Sequence, residues 1–503
     1  MTLQRRVVYV VVDGMSTTAF EQAVASGRAP AFAFLRDRAS YVRDSVAVFP
    51  TITPCATASL ITGETPARHG IPGMCWYDRD AQRFVNYGQS PRAAIVEGVS
   101  QVVRDVMENL NSKHLSPDVQ TIHEQLHALG LTTGSINFML FRGPFEHELQ
   151  PSLLEKLLFR RHLPASIPGP KEHYFADVVS GPAGGCDKFP RGRKIEHRIQ
   201  ATDGWAACVT RGLLERDAAD MILFYLHEND HASHRSGPES QVDSLAAADE
   251  HMAYVLGSLG SWEQTADEVG FVVTSDHSQS PISDEEDHVL DLSEILDGFS
   301  QVRPARGKER FGDNDLAVAG NGRVGFVYLH EDRRPALRRA VTKTLLAHAG
   351  TDQVMWVEDG VCHVETARGS LRFREAQGYG AVVDERGNKW EYEGDLEAVG
   401  GVVEEDGIRT PEYPLAMWRT MCALSLERMG DLVVTPKLTY EYKDLAGGDH
   451  RGGGDHASLH AQDSLVPLLS TLDDPPLRPS TVDVVPHIVR HFEKLRGQCA
   501  SSS

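Results

Sequence analysis

The 503-residue chain lacks any long apolar run. Its first hydrophobic stretch, residues 7–12, ends at Asp13, whereas a helix that spans a bilayer needs about 20 apolar residues. Arg5 and Arg6 precede this stretch, but it is too short for the core of an export signal and no small-residue cleavage site follows. We therefore predict no membrane partner and interpret the stretch as a buried first strand.

Cysteine is also scarce. The seven cysteines are spread along the chain without a C-x-x-C pair, so neither a disulfide framework nor a thiolate zinc site is expected. This pattern is typical of a reducing compartment, and we predict a cytoplasmic location.

Positive charge is outnumbered by negative charge. The chain has 50 Lys and Arg against 71 Asp and Glu, which gives a formal net charge of −21. Such a charge repels a polyphosphate backbone, so we predict no nucleic-acid polymer as partner. A small anionic substrate remains compatible with this composition if metal ions supply local positive charge. The sequence does not indicate an oligomeric state.

Three apolar segments each run into acidic or imidazole side chains. Residues 6–12 end at Asp13, residues 220–226 lead into a His- and Asp-rich loop, and residues 269–275 lead into Asp276 and His277. Buried, β-branched runs of this kind indicate central strands of a parallel sheet. Polar groups at the carboxyl ends of such strands are where α/β sheets bind ligands.

The alternation of these strands with helix-like stretches, such as residues 120–129 and 242–259, predicts an α/β fold: a three-layer α/β/α sandwich with a mainly parallel sheet. We assign residues 1–320 to the first part of this core, with a long loop over residues 144–193. Over residues 321–428 the predicted elements change to short strands and one helix, and we interpret this region as an inserted α+β cap. Residues 429–503 are expected to return to the core.

The most specific local pattern is FPTITPCATASLITG at residues 49–63. An extended segment meets a helix here, with Thr53 at the junction and Pro54 suited to the first helical position. A hydroxyl at this point faces the positive end of the helix, which favours an attacking alkoxide and a bound phosphate. An isolated Thr-Pro is more often only a helix cap, so the assignment depends on the surrounding motifs.

Together with Asp13-Gly14, this segment resembles the alkaline phosphatase superfamily and is most similar to its nucleotide pyrophosphatase/phosphodiesterase branch. That branch has its nucleophile at the second threonine of P-T-x-T, which is Thr53 here rather than Thr51. The stretch HENDHASHRSGP at residues 227–238 resembles the branch's D-x-x-x-H motif, with Asp230 and His234 four residues apart. Asp276-His277 matches its S-D-H motif.

A glycine-rich loop near the C-terminus carries the last motif of the resemblance. His456 best fits the branch's glycine-flanked histidine, although Ala457 stands where that motif usually has glycine, and His450 and His460 are competitors. The resemblance then implies two divalent ions, one held by Asp230, His234 and His456 and the other by a set of four residues: Asp13, Thr53, Asp276 and His277. Nitrogen and carboxylate ligands without thiolate favour zinc over manganese or iron.

Two departures from the family pattern bear on the substrate. Met74 occupies the place of an Asn that binds a phosphoryl oxygen in H-G-I-x-x-N, and Met cannot donate that hydrogen bond. Some monoesterases carry Lys and Arg in S-x-K-x-R, where this chain has Asn137 and Met139. This favours a diester, with Asn137 and Arg142 as candidate substrate-binding residues, although a turn-capping Asn137 and a solvated Arg142 are the alternatives.

The resemblance implies metal-dependent hydrolysis of a phosphodiester or nucleotide pyrophosphate bond in a small phosphate ester, through a phospho-threonine intermediate at Thr53. One alternative is a phosphomonoesterase or a phosphonate C–P hydrolase with the same two-metal site. A second alternative, of another class, is a catalytically weak protein that binds metal and ligand, which the substitutions at Met74 and Ala457 motivate.

Overall fold

The computed structural model describes residues 4–149, 164–175, 179–180, 186, 201–304, 309–376, 381–405, 407–444, 448–476 and 479–502. A central eight-stranded sheet organises the chain, in the order β2-β26-β11-β1-β10-β5-β8-β9. Its strands are β1 (Arg6–Val12), β2 (Ser40–Val46), β5 (Thr133–Ile136), β8 (Glu172–Phe175), β9 (Val179–Ser180), β10 (Met221–Leu226), β11 (Val269–Thr274) and β26 (Leu465–Ser470). The five consecutive strands from β11 to β8 are mutually parallel.

The two faces of β1 explain why its sequence is apolar throughout. Val7, Tyr9 and Val11 pack into one buried cluster, and Val8 and Val10 pack into another on the opposite face. Because successive side chains of a strand point to opposite faces, a continuous apolar run is buried on both sides. The predicted three-layer α/β/α sandwich with a mainly parallel sheet is confirmed.

Helices cover both faces of this sheet. One face packs against Thr17–Ala25, Pro30–Arg36, Asp203–Glu215, Gln241–Leu256 and Trp262–Glu268. The other packs against Thr53–Thr62, Ile122–Ala128 and Val484–Ser502. Helix Ala416–Leu424 instead contacts the strands Thr351–Glu358 and Val361–Thr366 of a second sheet. Shorter or peripheral helical segments are Pro66–His69, Pro91–Glu97, Val99–Arg104, Asp105–His114, Glu228–Ser236, Pro238–Ser240, Gly257–Leu259, Glu286–His288, Leu292–Ile295, Glu331–Arg333, Leu396–Val399, Ala461–Ser464 and Thr481–Asp483.

A second eight-stranded sheet, entirely antiparallel, has the order β14-β15-β23-β16-β17-β18-β20-β19. Its strands are β14 (Leu316–Asn321), β15 (Val324–Leu329), β16 (Thr351–Glu358), β17 (Val361–Thr366), β18 (Gly369–Glu375), β19 (Val382–Val383), β20 (Lys389–Gly394) and β23 (Leu432–Pro436). Helix Arg334–Ala347 packs on it through Leu337, Val341 and Leu345. This sheet and helix have the α+β composition that the sequence predicts for the cap.

The sheet pairing places the cap boundaries differently from the sequence interpretation. The second sheet already begins at Leu316, and β23 pairs with β15 and β16 rather than with the central sheet. Residues 432–436, which the sequence interpretation assigned to the returning core, therefore belong to the second sheet, and the chain re-enters the central sheet only with β26. The sequence of an apolar strand such as β23 does not show which sheet the strand joins. For this reason the sequence interpretation placed it in the core.

Five two-stranded pairings complete the strand inventory: β3 (Cys75–Asp78) with β4 (Arg83–Asn86), β6 (Phe145–Glu148) with β7 (Ser166–Gly169), β12 (Ser280–Pro281) with β25 (Gly454–Asp455), β13 (Val289–Leu290) with β24 (Glu441–Tyr442), and β21 (Val402–Glu404) with β22 (Gly407–Arg409). The predicted loop over residues 144–193 thus contains strands β6 to β9, of which β8 and β9 extend the central sheet. Residues 150–163, 176–178, 181–185 and 187–193 of that loop lie outside the described residues.

Cys186 and Cys208 form a disulfide, although the scattered cysteines indicated no disulfide framework. The two cysteines are 22 residues apart and belong to no spacing motif, so the sequence offered no sign of the pair. Disulfides are rare in reducing compartments, and a cytoplasmic location stays a prediction. In the described part of the chain, no helix combines the length and apolarity required to cross a bilayer.

An isolated antiparallel bridge between Thr51 and Ala457 fastens the segment before helix Thr53–Thr62 to the C-terminal histidine loop. The Thr51 hydroxyl donates to the Ser458 carbonyl at 2.9 Å and accepts from the Ala457 N–H at 3.1 Å. Ala457 has φ +110°, a backbone conformation that favours glycine. The bridge therefore holds a strained residue in place.

We expect Ala457→Gly to raise the free energy of unfolding by about 1 kcal/mol, because relief of the backbone strain exceeds the entropic cost of glycine. Chemical denaturation measures the change. Ala248→Gly, in the middle of helix Gln241–Leu256, is the matched control and should destabilise by about 1 kcal/mol. Equal destabilisation by both variants would contradict the strain at Ala457.

Candidate metal centre

Three neighbouring strands place acidic and imidazole side chains at one edge of the central sheet. Val12 pairs with Leu226 and Val11 with Thr274, so β1, β10 and β11 end at nearly the same level. The chain then continues from these strands into three acidic segments, which contain Asp13, Asp230, and Asp276 with His277. The parallel register thus places Asp13 next to residues that lie more than 200 positions later in the chain.

Gly14 permits the close approach of two of these segments. It has φ +66°, and a side chain at this position would place its Cβ 2.9 Å from Oδ1 of Asp230. The Gly14 N–H also points to Oδ1 of Asp276, at 3.3 Å. Glycine at this position therefore lets the turn after β1 pass between two carboxylates.

Thr53 is the first residue of helix Thr53–Thr62, and Pro54, which has no N–H to leave unpaired, follows it. The other residues of this helix are buried, whereas Thr53 is partly exposed. Its Oγ1 lies 3.2 Å from Nε2 of His277. The helix thus presents one accessible hydroxyl to the acidic edge of the sheet.

Asp13, Asp276 and His277 form the first ligand group, with oxygen and nitrogen atoms within 4.8 Å of one another. Nε2 of His277 is 3.4 Å from Asp13 Oδ1 and 3.5 Å from Asp276 Oδ2. These two carboxylate oxygens are buried and have no hydrogen-bond partner among the described residues. Buried carboxylate oxygens are normally hydrogen-bonded. With two oxygens that have no such partner and one imidazole nitrogen, this group has suitable ligand atoms for a cation.

Asp230 is the centre of a second group. Its Oδ2 is 3.3 Å from Nε2 of His234, and its Oδ1 is 3.8 Å from Nε2 of His456. The ring of His456 also stacks on that of His277, with centroids 3.5 Å apart. The two groups are therefore adjacent, and Asp230, His277 and His456 themselves lie within one 4.8 Å cluster.

The two histidines that compete with His456 in the sequence have other contacts. His450 pairs through Nδ1 with Glu441 Oε2 at 2.8 Å, although its ring also lies 4.4 Å from that of His234. His460 caps the short helix Ala461–Ser464 by accepting the N–H of Gln462. Of the three histidines, His456 is the one that the structure brings against both Asp230 and His277.

Burial and mutual repulsion govern the ionisation of the acids. Burial, reinforced by the charges of Asp276 and Asp230, raises the pKa of Asp13 well above its ordinary value. Burial likewise raises the pKa of Asp276, although His277 opposes the shift. Burial also disfavours ionised Asp230, but His234, His456 and His277 outweigh it and hold the pKa of Asp230 well below its usual range. Without a cation, burial thus favours the neutral forms of Asp13 and Asp276, and a bound cation would favour their charged forms.

A set of outer contacts orients the ligands. Nδ1–H of His456 donates to the Thr51 carbonyl at 2.7 Å, and Nδ1–H of His234 donates to the Gly454 carbonyl at 2.8 Å. Both histidines therefore present Nε2 to the site, and each tautomer is fixed by a backbone acceptor. Thr51 accordingly links the loop that carries Thr53 to the orientation of His456.

Tyr225 and Gln279 hold the carboxylates in the same way. The Tyr225 hydroxyl donates to Asp13 Oδ2, and the Gln279 amide donates to Asp230 Oδ1. Neither residue was identified from the sequence, and neither was the bridging role of Thr51. Gln279 follows Asp-His-Ser and belongs to no motif, so its sequence gave no signal. Tyr225 lies near the end of an apolar strand that leads into an acidic loop, and this position is the one signal that could have indicated a contact with the site.

Asn137 and Arg142, the predicted substrate-binding residues, have partners within the protein. Asn137 is fully buried with φ +62°, and its amide donates to the Ala201 carbonyl at 2.7 Å. Arg142 pairs with Glu124 at 3.2 Å and donates to the carbonyls of three residues: Leu115, Ser116 and Val119. The structure therefore gives both side chains structural contacts and does not bring them into the metal centre. The short S-x-K-x-R comparison could not reveal these local partners.

Met74 is partly buried and packs against the main apolar cluster. Asn321, at the end of β14, contacts Cys75, the residue that follows Met74. It is fully buried, accepts the Cys75 N–H at 2.7 Å and donates to the Cys75 carbonyl at 2.8 Å. Its amide is thus occupied with a backbone segment. Asn321 does not stand in for the donor that Met74 lacks.

A family model described as type I phosphodiesterase / nucleotide pyrophosphatase matches residues 7–459. No curated protein matches the chain.

Two solved structures with the same fold are a murine ectonucleotide pyrophosphatase / phosphodiesterase 5 and a phosphonoacetate hydrolase from Sinorhizobium meliloti 1021 in complex with phosphonoformate. The murine protein is 13% identical with a TM-score of 0.54, and the alignment covers 96% of this chain and 95% of that chain. The bacterial protein is 16% identical with a TM-score of 0.54, and the alignment covers 97% and 96% of the two chains. At these identities the likeness shows the fold alone. On the match of the family model over most of its length, the chain belongs to the type I phosphodiesterase / nucleotide pyrophosphatase family.

Proposed function

We propose that the protein hydrolyses a phosphodiester or nucleotide pyrophosphate bond of a small phosphate ester and that Thr53 is the nucleophile. The observation that carries this proposal is the position of the Thr53 hydroxyl. It is the accessible group at the start of a buried helix, 3.2 Å from His277, beside two carboxylates with unpartnered oxygens. Family membership supports the same class of reaction.

In the proposed reaction, Oγ1 of Thr53 gives its proton to water and attacks phosphorus. The new O–P bond forms as the bond from phosphorus to the leaving oxygen breaks, and the leaving group departs with its electron pair. Water then attacks the phospho-threonine, the bond from phosphorus to the Thr53 oxygen breaks, and a proton of the attacking water restores the Thr53 hydroxyl. The position of Thr53 in the first turn of the helix favours both the alkoxide and the phosphoryl oxygens, because the helix end carries partial positive charge.

The ligands fit two divalent ions, one between Asp13, Asp276, His277 and the Thr53 oxygen and another between Asp230, His234 and His456. When bound, such ions lower the pKa of a coordinated hydroxyl, neutralise nonbridging phosphoryl oxygens and stabilise the leaving oxygen. The mixture of imidazole and carboxylate without thiolate favours zinc, with manganese and iron as the other candidates. Tyr225 and the carbonyls of Thr51 and Gly454 would keep the ligands in position when the ions exchange.

A diester is the favoured substrate because the two positions that carry cations in the monoesterase motif carry none in this chain. A phosphate monoester brings one more negative charge, and the positions that could offset it carry Asn137 and Met139, while Arg142 is already paired with Glu124. An inactive variant of the murine protein of the same fold is in complex with AMP, which supports a nucleotide-derived ester.

A phosphomonoesterase or a phosphonate C–P hydrolase is the second candidate, and the fold shared with a phosphonoacetate hydrolase favours it. A catalytically weak protein that binds metal and ligand is the third, motivated by Met74. Intact ligand groups weigh against it, and full metal occupancy without hydrolysis across a broad panel of esters would favour it.

Hydrolysis rates of an aryl phosphodiester, an aryl phosphomonoester and a phosphonoacetate, measured at equal metal loading, separate the first two candidates. We expect the highest kcat/KM with the diester, because the monoester and the phosphonate carry additional charge and the cation positions of the monoesterase motif are occupied here by Asn137 and Met139. A higher kcat/KM with either of the other two substrates would reverse the order of the candidates.

Thr53→Ala should lower kcat for the preferred ester by on the order of a thousandfold or more. The reason is that the variant lacks the hydroxyl proposed to form the covalent intermediate, whereas the histidine and aspartate side chains remain to bind metal. Thr62→Val is the matched control, because Thr62 lies in the same helix and donates to the Ala58 carbonyl at 2.6 Å, away from the site.

Thr62→Val should retain activity. Metal content measured on both variants tests whether a loss at Thr53→Ala is chemical or structural. Unchanged turnover in Thr53→Ala would remove Thr53 from the mechanism.

Asp13→Asn should abolish activity and yet raise the melting temperature of the metal-free protein at neutral pH. The pKa of Asp13 is raised in the folded state by burial and by Asp276. Its ionisation therefore costs stability as pH rises above 3.8, the ordinary value. The amide removes that cost and can still accept the Tyr225 hydrogen bond.

Thermal unfolding at neutral pH and near pH 4, in the presence of a chelator, measures the gain. It should shrink at the lower pH, where the wild-type carboxyl is also neutral. Asp118→Asn, at an exposed position, is the control and should show no gain. A destabilised Asp13→Asn at neutral pH would contradict the electrostatic account of the site.

A further inference from the structure

Arg323 is among the largest side chains that are fully buried. It lies in the turn between β14 and β15, is 1% exposed, and donates through Nε to Oδ2 of Asp463 at 2.9 Å. Asp463 is also fully buried and lies in the short helix Ala461–Ser464 before β26. Desolvation offsets most of the attraction within a buried ion pair, so such a pair contributes little to stability by itself. The segments that the pair joins therefore carry more information about its role.

Asp463 holds the segment that follows His277. The Asp463 carbonyl accepts the N–H of Ser278 at 2.9 Å, and Oδ1 of its carboxylate accepts the hydroxyl of Ser280. Ser278 is the residue immediately after His277, a proposed metal ligand. The backbone and the side chain of one residue thus fix the first ligand loop, residues 276–280.

The same carboxylate holds the segment that follows His456. Oδ2 of Asp463 accepts the N–H of Ser458 at 3.0 Å and also the Ser458 hydroxyl. The backbone N–H of Arg323 donates to the His456 carbonyl at 2.8 Å. Both members of the ion pair therefore contact the second ligand loop, residues 454–458.

The remaining donors of Arg323 reach the second sheet. Nη1 of Arg323 donates to the carbonyls of Tyr440 at 2.8 Å and Lys437 at 3.2 Å, in the connection between β23 and β24. A guanidinium presents five N–H donors in a fixed plane, so one side chain can bind a carboxylate and two carbonyls at the same time. Arg323 therefore joins the second sheet to both ligand loops.

The two ligand loops carry ligands of different proposed ions. His277 belongs to the group with Asp13, and His456 belongs to the group with Asp230. The two rings stack with centroids 3.5 Å apart, and β12 pairs with β25 beside them. The distance between the loops therefore sets the distance between the two ligand groups, and ligands have to be held within about 0.5 Å of their productive positions.

The ion pair is charged at neutral pH. Burial disfavours ionised Asp463, but Arg323 and the hydroxyls of Ser280 and Ser458 outweigh it and lower the pKa of Asp463 below its ordinary value. The carboxylate is therefore a hydrogen-bond acceptor for both ligand loops under the conditions in which the protein would bind metal.

We propose that Arg323 and Asp463 are positioning residues of the metal centre, which hold the two ligand loops at a fixed separation. The inference rests on the proposed ligand set and adds to it a side chain that the second sheet supplies. In the contacts described above, neither side chain touches a ligand side chain, so the effect passes through the backbone of the loops. Residues that orient metal ligands in this way are typically worth about 10- to 100-fold in metal affinity.

A paired substitution tests the proposal on the full chain. Removal of one partner alone would leave an unpaired buried charge, so the test variant combines Arg323→Met with Asp463→Asn, in which the amide oxygen can still accept a hydrogen bond. The matched control combines Arg83→Met with Asp105→Asn. Arg83 pairs with buried Asp105 at 2.7 Å, and among the described residues no hydrogen bond or ion pair joins either of them to a ligand loop.

Hydrogen exchange of the metal-free protein, read by mass spectrometry of peptides from the two ligand loops, gives the first measurement. Both loops should exchange about tenfold faster in the test variant, because each has lost hydrogen bonds to the ion pair. The control variant should exchange like the wild type in these peptides. The measurement uses neither metal nor substrate, so its outcome does not depend on the chemistry at Thr53.

Zinc affinity, measured by chelator competition, gives the second measurement. The test variant should bind Zn²⁺ about 10- to 100-fold more weakly than the wild type, and the control variant should bind it equally well. Arg323→Lys should lie between the wild type and the test variant, because lysine keeps the charge but cannot bind Asp463 and both carbonyls. If the test variant does not fold, Ser280→Ala removes one hydroxyl of the network and should weaken zinc binding and speed exchange in the first ligand loop.

Wild-type exchange and wild-type zinc affinity in the folded test variant or in Ser280→Ala would overturn the proposal. Equal losses in the control variant would do the same, because they would show a general effect of ion-pair removal. Weaker zinc binding in the test variant together with full turnover by Thr53→Ala would uphold the positioning role and refute the proposed nucleophile.

Discussion

The carboxylates of Asp13, Asp230 and Asp276 are held close together in a region that is almost closed to solvent. Their repulsion opposes folding, and the contacts of the surrounding residues partly offset it. Imidazoles face the acids through Nε2, and Tyr225 and Gln279 donate hydrogen bonds to carboxylate oxygens. Among the described residues, Asp13 Oδ1 and Asp276 Oδ2 have no hydrogen-bond partner. Bound cations would relieve the repulsion, and the same cations would make a hydroxyl reactive.

The fold imposes this concentration of charge through the parallel register. Because β1, β10 and β11 end at one level, the loops that follow them have to meet. Two further parts of the site come from other regions of the chain. Helix Thr53–Thr62 carries the hydroxyl, and the loop after β25 carries His456. The Thr51–Ala457 bridge joins the segment before that helix to that loop. One backbone contact thus couples the position of the proposed nucleophile to that of a proposed ligand.

Much of this could be predicted from the sequence because the signals are local. The apolar run of β1 and the carboxylate at its end indicated a central parallel strand, and the P-T-x-T and S-D-H motifs led to the family. What escaped prediction depends on distant partners. The Leu432–Pro436 strand has no sequence mark that says which sheet it joins, Arg142 proved to be paired with Glu124, and Cys186 bonds to Cys208 without a spacing motif.

The central claim is that Thr53 becomes covalently phosphorylated during turnover. The most direct measurement is rapid acid quenching of the metal-loaded enzyme with its preferred ester, followed by peptide mass spectrometry. The account predicts one phosphoryl group on the peptide that contains Thr53, which appears and disappears with turnover and is absent from Thr53→Ala. Turnover without any phosphorylated peptide at the earliest quench times, or a phosphoryl group on Thr51 or Thr57 instead, would contradict it.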